Sequence, residues 1–512
     1  MHTFSRFLLT LILVSAPALA GDLLPGDSST RAVPEQTEPQ APIVADPGMA
    51  TRNQAWVAAQ RAQVAERLKA NGRLAGWPTR PLVDGKGLPA APDKFLRRVA
   101  QDTWRGLDAL VDKTHGLPLD RVEFHGGSTA PETARVGDYT NITNIGLHFL
   151  AVTAAHDLGF ITKAQALERL KATLATLEKL ETHRGFFFNY YNTTTLAHTS
   201  HFVSFVDSAW LTAGLMVARQ AFPDLAARCT KLIAQGDYRF FYDAKLRQMV
   251  HGYYANLNEP ARLHYCVFYT ESRLGSLIAI GKGEAPKEHW FSMFRTLPPE
   301  IDWQVQQPID RVERTGGGFH WMAGHYRWRD IDYVPSWGGS LFEALMPRLV
   351  LDEVRYAPDS LGKNGKIHTT IHRLFALEEE HYPVWGMSPS TVPGNDNSYS
   401  EFGVRPLGIA GYKSGVVTPH AVALALMADP TEATANLRKL VELYPIYGEF
   451  GFYDAVNPTT GEVSYSYLCL NQAMILVSLA NYLADHSVQK RFAADPIVQK
   501  VLPLLAIEKF GG

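Results

Sequence analysis

The run "HYCVFYTESRLGSLIAIGKG" sets one carboxylate, Glu271, into an otherwise oily stretch at residues 264–283. Read as a helix over 264–281, it puts Val267, Glu271, Leu274 and Ile278 at i, i+4, i+7 and i+11, on one apolar face. An unpaired anion there would be strongly disfavoured, so burial raises the carboxyl's pKa, and a protonated carboxyl is what a general acid needs. The structural alternative is an ion pair with Arg273 or a loop cation. Asp454 sits in "YGEFGFYDAVNPTTGE", a Gly- and aromatic-rich loop, where it could instead shape an Asx turn toward Asn457. Asp207 in "SFVDSAWLTAGL" has the alternative role of stabilising a helix N-terminus. Glu343 in "WGGSLFEALMP" and Asp396 with Glu401 in "GNDNSYSEFGV" complete the acids. A pair of these could hydrolyse a glycoside, one protonating the leaving oxygen while the other activates water or attacks carbon.

The aromatic content points the same way. Four of the ten tryptophans, Trp303, Trp321, Trp328 and Trp337, fall within residues 303–337, alongside "RTGGGFHWMAGHYRWRDIDYVPSWGGS". Flat apolar rings beside Asp, Asn, Arg and His suit the faces and hydroxyl rims of sugars. Packing of the loop layer against helices is the plainer use of such rings.

The elements that must position these groups are helical. In "DLGFITKAQALERLKATLATLEKL", Gly159 ends one helix, Thr162 caps the next with Gln165 at the capping-box position, and Leu167, Leu170, Leu174 and Leu177 form a stripe. Helices are expected at 53–70, 93–112, 141–158, 163–180, 205–221, 224–235, 264–281, 339–351, 364–380, 418–428, 431–443, 466–485 and 488–504. Short turns join some of them, and long loops at 182–203, 236–263, 300–338, 382–417 and 444–465 join the rest; strand-like alternation is scarce. About a dozen helices with no fixed repeat period predict an all-α (α/α)6 toroid, with the functional loops at one end.

Arg6 ahead of "FLLTLILVSAPALA", with a small-residue site at Ala18-Leu19-Ala20, reads as a secretory signal peptide over residues 1–20. Residues 21–50, rich in Pro, Asp, Gln and Gly, read as a flexible leader, and 51–512 as one catalytic domain. Export to the periplasm or outside the cell follows. No later apolar stretch reaches the ~20 residues of a membrane span, so no membrane anchor is expected. With 49 basic against 51 acidic residues and a pI near 6.8, nucleic acid is not the expected partner. Cys229, Cys266 and Cys469 are too far apart for a disulfide framework, and none has metal-ligand spacing to another. No metal or cofactor is expected.

The stretches "TNIGLHFLAVTAAHDLGFITKAQALERLKATLATLEKLE", "FFFNYYNTTTL", "FVDSAWLTAGL", "YTESRLGSLIAIGKGEAPKEHWF", "SWGGSLFEALMPRLVLDE", "VWGMSPS", "EFGVRPLGI", "TPHAVALALMADP" and "GFYDAVNP" run in order from Thr140 to Asn457. Together they resemble the glycoamylase-like family found in cyclic β-1,2-glucan synthases and, more remotely, secreted endo-β-1,2-glucanases. The resemblance implies an (α/α)6 fold, action on β-linked glucan without a metal, Glu271 as acid, Asp454 as base, and inversion through a substrate hydroxyl that relays the proton. It also implies that Asp207, Trp337 and the loop 385–402 surround bound sugars. Trp210, Trp321, Glu343, Trp385, Tyr399, Glu401 and Tyr453 complete the expected substrate-binding set. Synthase-type domains usually carry an acid after "WGIS", where this chain has Pro389, and Glu where it has Asp454. Both departures point toward hydrolysis. The remaining alternatives are a retaining transglycosylase, a hydrolase of another β-glucan, and a non-catalytic glucan-binding protein on the same scaffold.

Overall fold

The computed structural model describes residues 82–124, 134–394 and 398–510. The expected signal peptide, leader and helix at 53–70 lie outside these residues, as does Asp396. Six helices are buried almost all round: α2 (Ile142–Asp157), α4 (Phe205–Ala221), α6 (Arg273–Lys282), α8 (Leu341–Leu345), α10 (Pro419–Ala425) and α12 (Cys469–Leu483). Apolar side chains on every face demand burial on every face. Each of the six touches the next in chain order, and α12 returns to pack against α2. The link from α6 to α8 runs through Arg273, which donates to the carbonyls of Glu343 at 3.1 Å and Ala344 at 2.7 Å.

Outside these lie α1 (Pro92–Ala109), α3 (Lys163–Leu177), α5 (Ala226–Gln235), α7 (Glu288–Ser292), α9 (Lys363–Leu374) and α11 (Pro430–Leu443). Of these, α3, α5, α7, α9 and α11 each pack on the buried helix just before them, and α1 packs on α12. The local signals are those expected. Thr162 and Gln165 form the capping box of α3, Gly159 follows α2 with φ +72°, and Leu170, Leu174 and Leu177 are buried while Leu167 is partly so. Where α2 and α4 cross, a Cβ on Gly146 would lie 2.4 Å from the Trp210 carbonyl oxygen, so only glycine allows that approach.

The described residues also hold many short antiparallel pairings, so the expectation of an all-α chain is too narrow. Those relevant to the site are β1 (Arg121–Phe124), β2 (Ala134–Val136), β3 (Gln248–Val250), β4 (His264–Tyr265), β5 (Ser390–Thr391), β6 (Tyr399–Ser400) and β7 (Ser466–Leu468). β1 lies between β7 and β2, β4 pairs with β3, and β5 with β6. Four of the expected long loops, 236–263, 300–338, 382–417 and 444–465, and the start of the fifth at 182–203, fold into such hairpins.

Three helix boundaries need correction. Residues 264–272 are not helical: "HYCVFY" is rich in β-formers, β4 pairs with β3, Val267 bridges in parallel to Phe294, and the helix starts only at Arg273. Residues 466–468 are strand rather than helix. The span 488–504 is three pieces, Ser487–Ala494, Pro496–Gln499 and Leu502–Leu505, because Pro496 and Pro503 each open a new one. No helix among the described residues is long and apolar enough to cross a membrane.

Candidate active site

Glu271 stands in the turn just ahead of α6, not on an apolar helical face. Its side chain is nearly buried at 6 % exposure, and its only hydrogen-bond contact among the described residues is with its own backbone N–H. The pairing with Arg273 foreseen as an alternative does not form. Arg273 is spent elsewhere: Nε donates to Glu353 at 2.8 Å, its terminal nitrogens to the carbonyls of Thr270, Glu343 and Ala344, and the guanidinium lies over the Tyr269 ring. Burial, then the charge of Glu343, pushes the Glu271 carboxyl up from 4.5 to about 8; Asp207 adds to the rise and Arg273 only tempers it.

Glu343 is the N3 residue of a capping box with Ser340 at the start of α8. It also accepts from Ser336 Oγ at 2.8 Å and from the Gly338 N–H at 3.1 Å. These bonds fold the segment 336–340 tightly, and that segment carries Trp337, whose ring meets Trp303 edge-on with centroids 6.0 Å apart. Burial raises the Glu343 pKa against the pull of those donors. Gly338 packs under Tyr412 so closely that a Cβ would lie 2.0 Å from the ring. The Tyr412 hydroxyl hydrogen-bonds to Glu401, a partly buried acid raised to about 7 first by burial and then by Glu343. The charges of Glu343, Glu401 and Glu271 all act on Tyr412.

Asp454 lies on the other flank, almost wholly buried. Oδ2 accepts from the Thr391 N–H at 2.8 Å and its hydroxyl at 2.6 Å, and Oδ1 accepts from Asn471 at 2.6 Å. Burial raises its pKa, opposed by those donors and by Arg121. Tyr399 on β6 lies within the field of both Asp454 and Glu401, which ties the two flanks together. Asp207, at the N-terminus of α4, accepts from Thr143 at 2.6 Å and is raised by burial. It acts on Tyr265, as does Glu271.

The acids Asp207, Glu271, Glu343, Glu401 and Asp454, with Tyr399, thus form one coupled group at the N-terminal ends of buried helices and the hairpins above them. Other expected residues sit apart from it. Trp321 packs on Phe291, and its buried indole nitrogen has no partner among the described residues. Trp210 is buried within α4, with its indole nitrogen likewise without a partner. Trp385 is core, its backbone held by Asn436. Tyr453 is buried against Phe124, Tyr465 and Tyr467. These four act through packing, as large aromatics commonly do.

Sequence reading missed Tyr412, Tyr265 and the β1 cluster of Asp120, Arg121, Glu123, Tyr139 and Asn144. The only available signal was the i, i+2 spacing of Arg121 and Glu123 in a short strand, which puts both on one face. Among the described residues no three His, Cys, Asp or Glu side chains gather as metal ligands, and no disulfide joins the three buried cysteines.

Two family models match the chain: Glycoamylase, described as glucoamylase, over residues 319–496, and DUF3131, described as a protein of unknown function, over 98–275. The cyclic beta-(1,2)-glucan synthase NdvB of Rhizobium meliloti is 23% identical, the alignment covering 80% of this chain and 18% of that protein. The exo beta-1,2-glucooligosaccharide sophorohydrolase of Parabacteroides distasonis is 22% identical, over 69% of this chain and 51% of that one. The chain therefore spans about half or less of the length of these relatives. Among solved structures, the endo-beta-1,2-glucanase of Chitinophaga pinensis, in complex with sophorotriose and glucose, superposes with a TM-score of 0.62 at 20% identity, covering 82% of this chain and 99% of that one. That likeness establishes a shared fold. The chain resembles the Glycoamylase-like family and, through both of its matched segments and these relatives, the proteins of β-1,2-glucan chemistry.

Proposed function

We propose that this chain is a glycoside hydrolase that cleaves β-1,2-glucan internally, with Glu271 as general acid and Asp454 as base, on an (α/α)6 toroid. The observation that carries the reading is Glu271: a nearly buried carboxyl with no side-chain donor, held protonated to about pH 8 beside a cluster of acids and tyrosines. A carboxyl kept neutral at physiological pH can give its proton to a leaving glycosidic oxygen. Asp454 is suited to the complementary task, because Thr391, Asn471 and Arg121 favour its ionised form. In the proposed step the proton passes from Glu271 to the leaving oxygen as the C1–O bond breaks. Water adds to C1, and its proton passes by way of a substrate hydroxyl to Asp454, which inverts the anomeric carbon. The cyclic contacts of α2, α4, α6, α8, α10 and α12, with partners outside, support the toroid. The names of the relatives support the linkage, and the Arg6-led apolar run supports export to the periplasm.

The test is to incubate wild type, Glu271→Gln and Asp454→Asn with linear β-1,2-glucan and to separate the products by size. Short oligosaccharides from wild type and little from either variant sustain the reading. Disproportionated oligomers would replace hydrolysis by transfer, and a bound but uncut polymer would leave only a binding protein.

A further inference from the structure

The β1 cluster belongs to none of the roles above, yet it is built around a single guanidinium. Arg121 donates from Nε to Asp120 Oδ2 at 3.0 Å and from Nη1 to Glu123 Oε1 at 3.0 Å. Its second terminal nitrogen, Nη2, has no hydrogen-bond partner among the described residues, and the side chain keeps 16% exposure. Asp120 is itself pinned by Asn144 at 2.8 Å and by the Tyr139 hydroxyl. The fork is therefore fixed at two corners and open at the third.

Its position is next to the chemistry. Glu123 pairs in register with Ser466 on β7, the Ser466 hydroxyl lies 2.9 Å from Thr391 Oγ1, and Thr391 Oγ1 donates to Asp454. The charge of Arg121 reaches Asp454, Tyr399 and Tyr190. Tyr139 and Tyr190, edge to face with centroids 6.0 Å apart, add ring surface at the same place.

The chemistry of the ligand follows from the charges. One guanidinium between two carboxylates leaves a net negative trio, which disfavours phosphate, sulfate or a uronic acid. A neutral polyol meets no such repulsion and can accept from Nη2 while donating to the carboxylates. We propose that Arg121 is a sugar-contacting residue, its open Nη2 donating to hydroxyls of the glucosyl unit bound beside Asp454 while Asp120 and Glu123 hold the fork in place. This rests on the glucanase reading and extends it to a subsite formed by β1.

The test compares wild type, Arg121→Gln and Arg121→Lys on linear β-1,2-glucan, following new reducing ends and thermal unfolding. Arg121→Gln is expected to raise KM about tenfold, the worth of a hydrogen bond to a charged donor, with an unchanged unfolding midpoint. Arg121→Lys is expected to recover only a minor part, since a point charge lacks the fork. The acid-side limb of kcat/KM is expected to move upward in Arg121→Gln, because Asp454 loses a neighbouring cation; a purely structural role would not produce that shift. A KM for Arg121→Gln within twofold of wild type would overturn the proposal, and so would full recovery by lysine. A wild type that cuts no β-glucan would remove both readings, whereas a cutting wild type matched by Arg121→Gln would remove this one alone.

Discussion

Glu271→Gln separates catalysis from stability in a single experiment. In the folded protein the carboxyl holds its proton to about pH 8, against 4.5 for the ordinary group. The folded state therefore binds more protons than the unfolded chain between those values, and stability falls as pH rises through that window. The contribution of the neutral carboxyl is fully present below about pH 4.5 and is lost on passing pH 8. The displacement corresponds to about 5 kcal/mol in all, at about 1.4 kcal/mol per pH unit. Glutamine mimics the neutral form and cannot ionise. Urea unfolding of wild type and Glu271→Gln at pH 5 and pH 8 should show wild type losing about 4 kcal/mol relative to the variant across that interval. In parallel, wild-type kcat/KM should decline tenfold per pH unit above about 8 as the acid is spent. Identical pH dependence of unfolding in the two proteins would refute the burial argument, and with it the reason for assigning Glu271 the acid role.

Three further perturbations probe the surroundings. Thr391→Val removes the hydroxyl donor to Asp454 but keeps the backbone one, so the acid-side limb of the kcat/KM profile should rise in pH. Arg273→Met deletes the cation that joins Glu353 to the carbonyls of residues 270, 343 and 344, and should cost about 3–5 kcal/mol in urea unfolding because a buried network is broken from one side. Gly338→Ala puts a methyl 2.0 Å from the Tyr412 ring; it should lower stability by about 1–3 kcal/mol and depress kcat, measured by thermal unfolding and reducing-end release.

The helical frame was legible wherever one period ruled. The α3 capping box, the Gly159 stop and the bounds of α4 all follow from local chemistry. Glu271 was found for a partly wrong reason: its segment is apolar on every side, so a helical period could be laid over residues that make a strand and a turn. Burial, not helical face, is what raises its pKa. Glu343 illustrates the opposite limit, since its N3 position three residues after Ser340 is a sequence-level signal, but its bonds to Ser336 and Gly338 depend on a tight loop. Tyr412 and Arg121 were invisible because their partners lie across the chain or in a strand too short to show a pattern. The roles of Trp210, Trp321 and Trp385 were misjudged because a tryptophan's packing use and its sugar-stacking use have the same composition.

The seam between β1 and β7 joins residues 121–123 to 466–468. A chain emerging from the ribosome has made Glu271 and its α6 support some two hundred residues before that seam can exist. The Asp454 flank, by contrast, draws on Thr391, Ser464, Ser466 and Asn471, with β1 brought in from the far end of the sequence. The two halves of the site therefore mature at different times, and the nascent protein carries its acid for a long interval with no finished cleft around it. Loop closure over such a span is slow, which makes the joining of the first and last strands the natural gate on activity during synthesis.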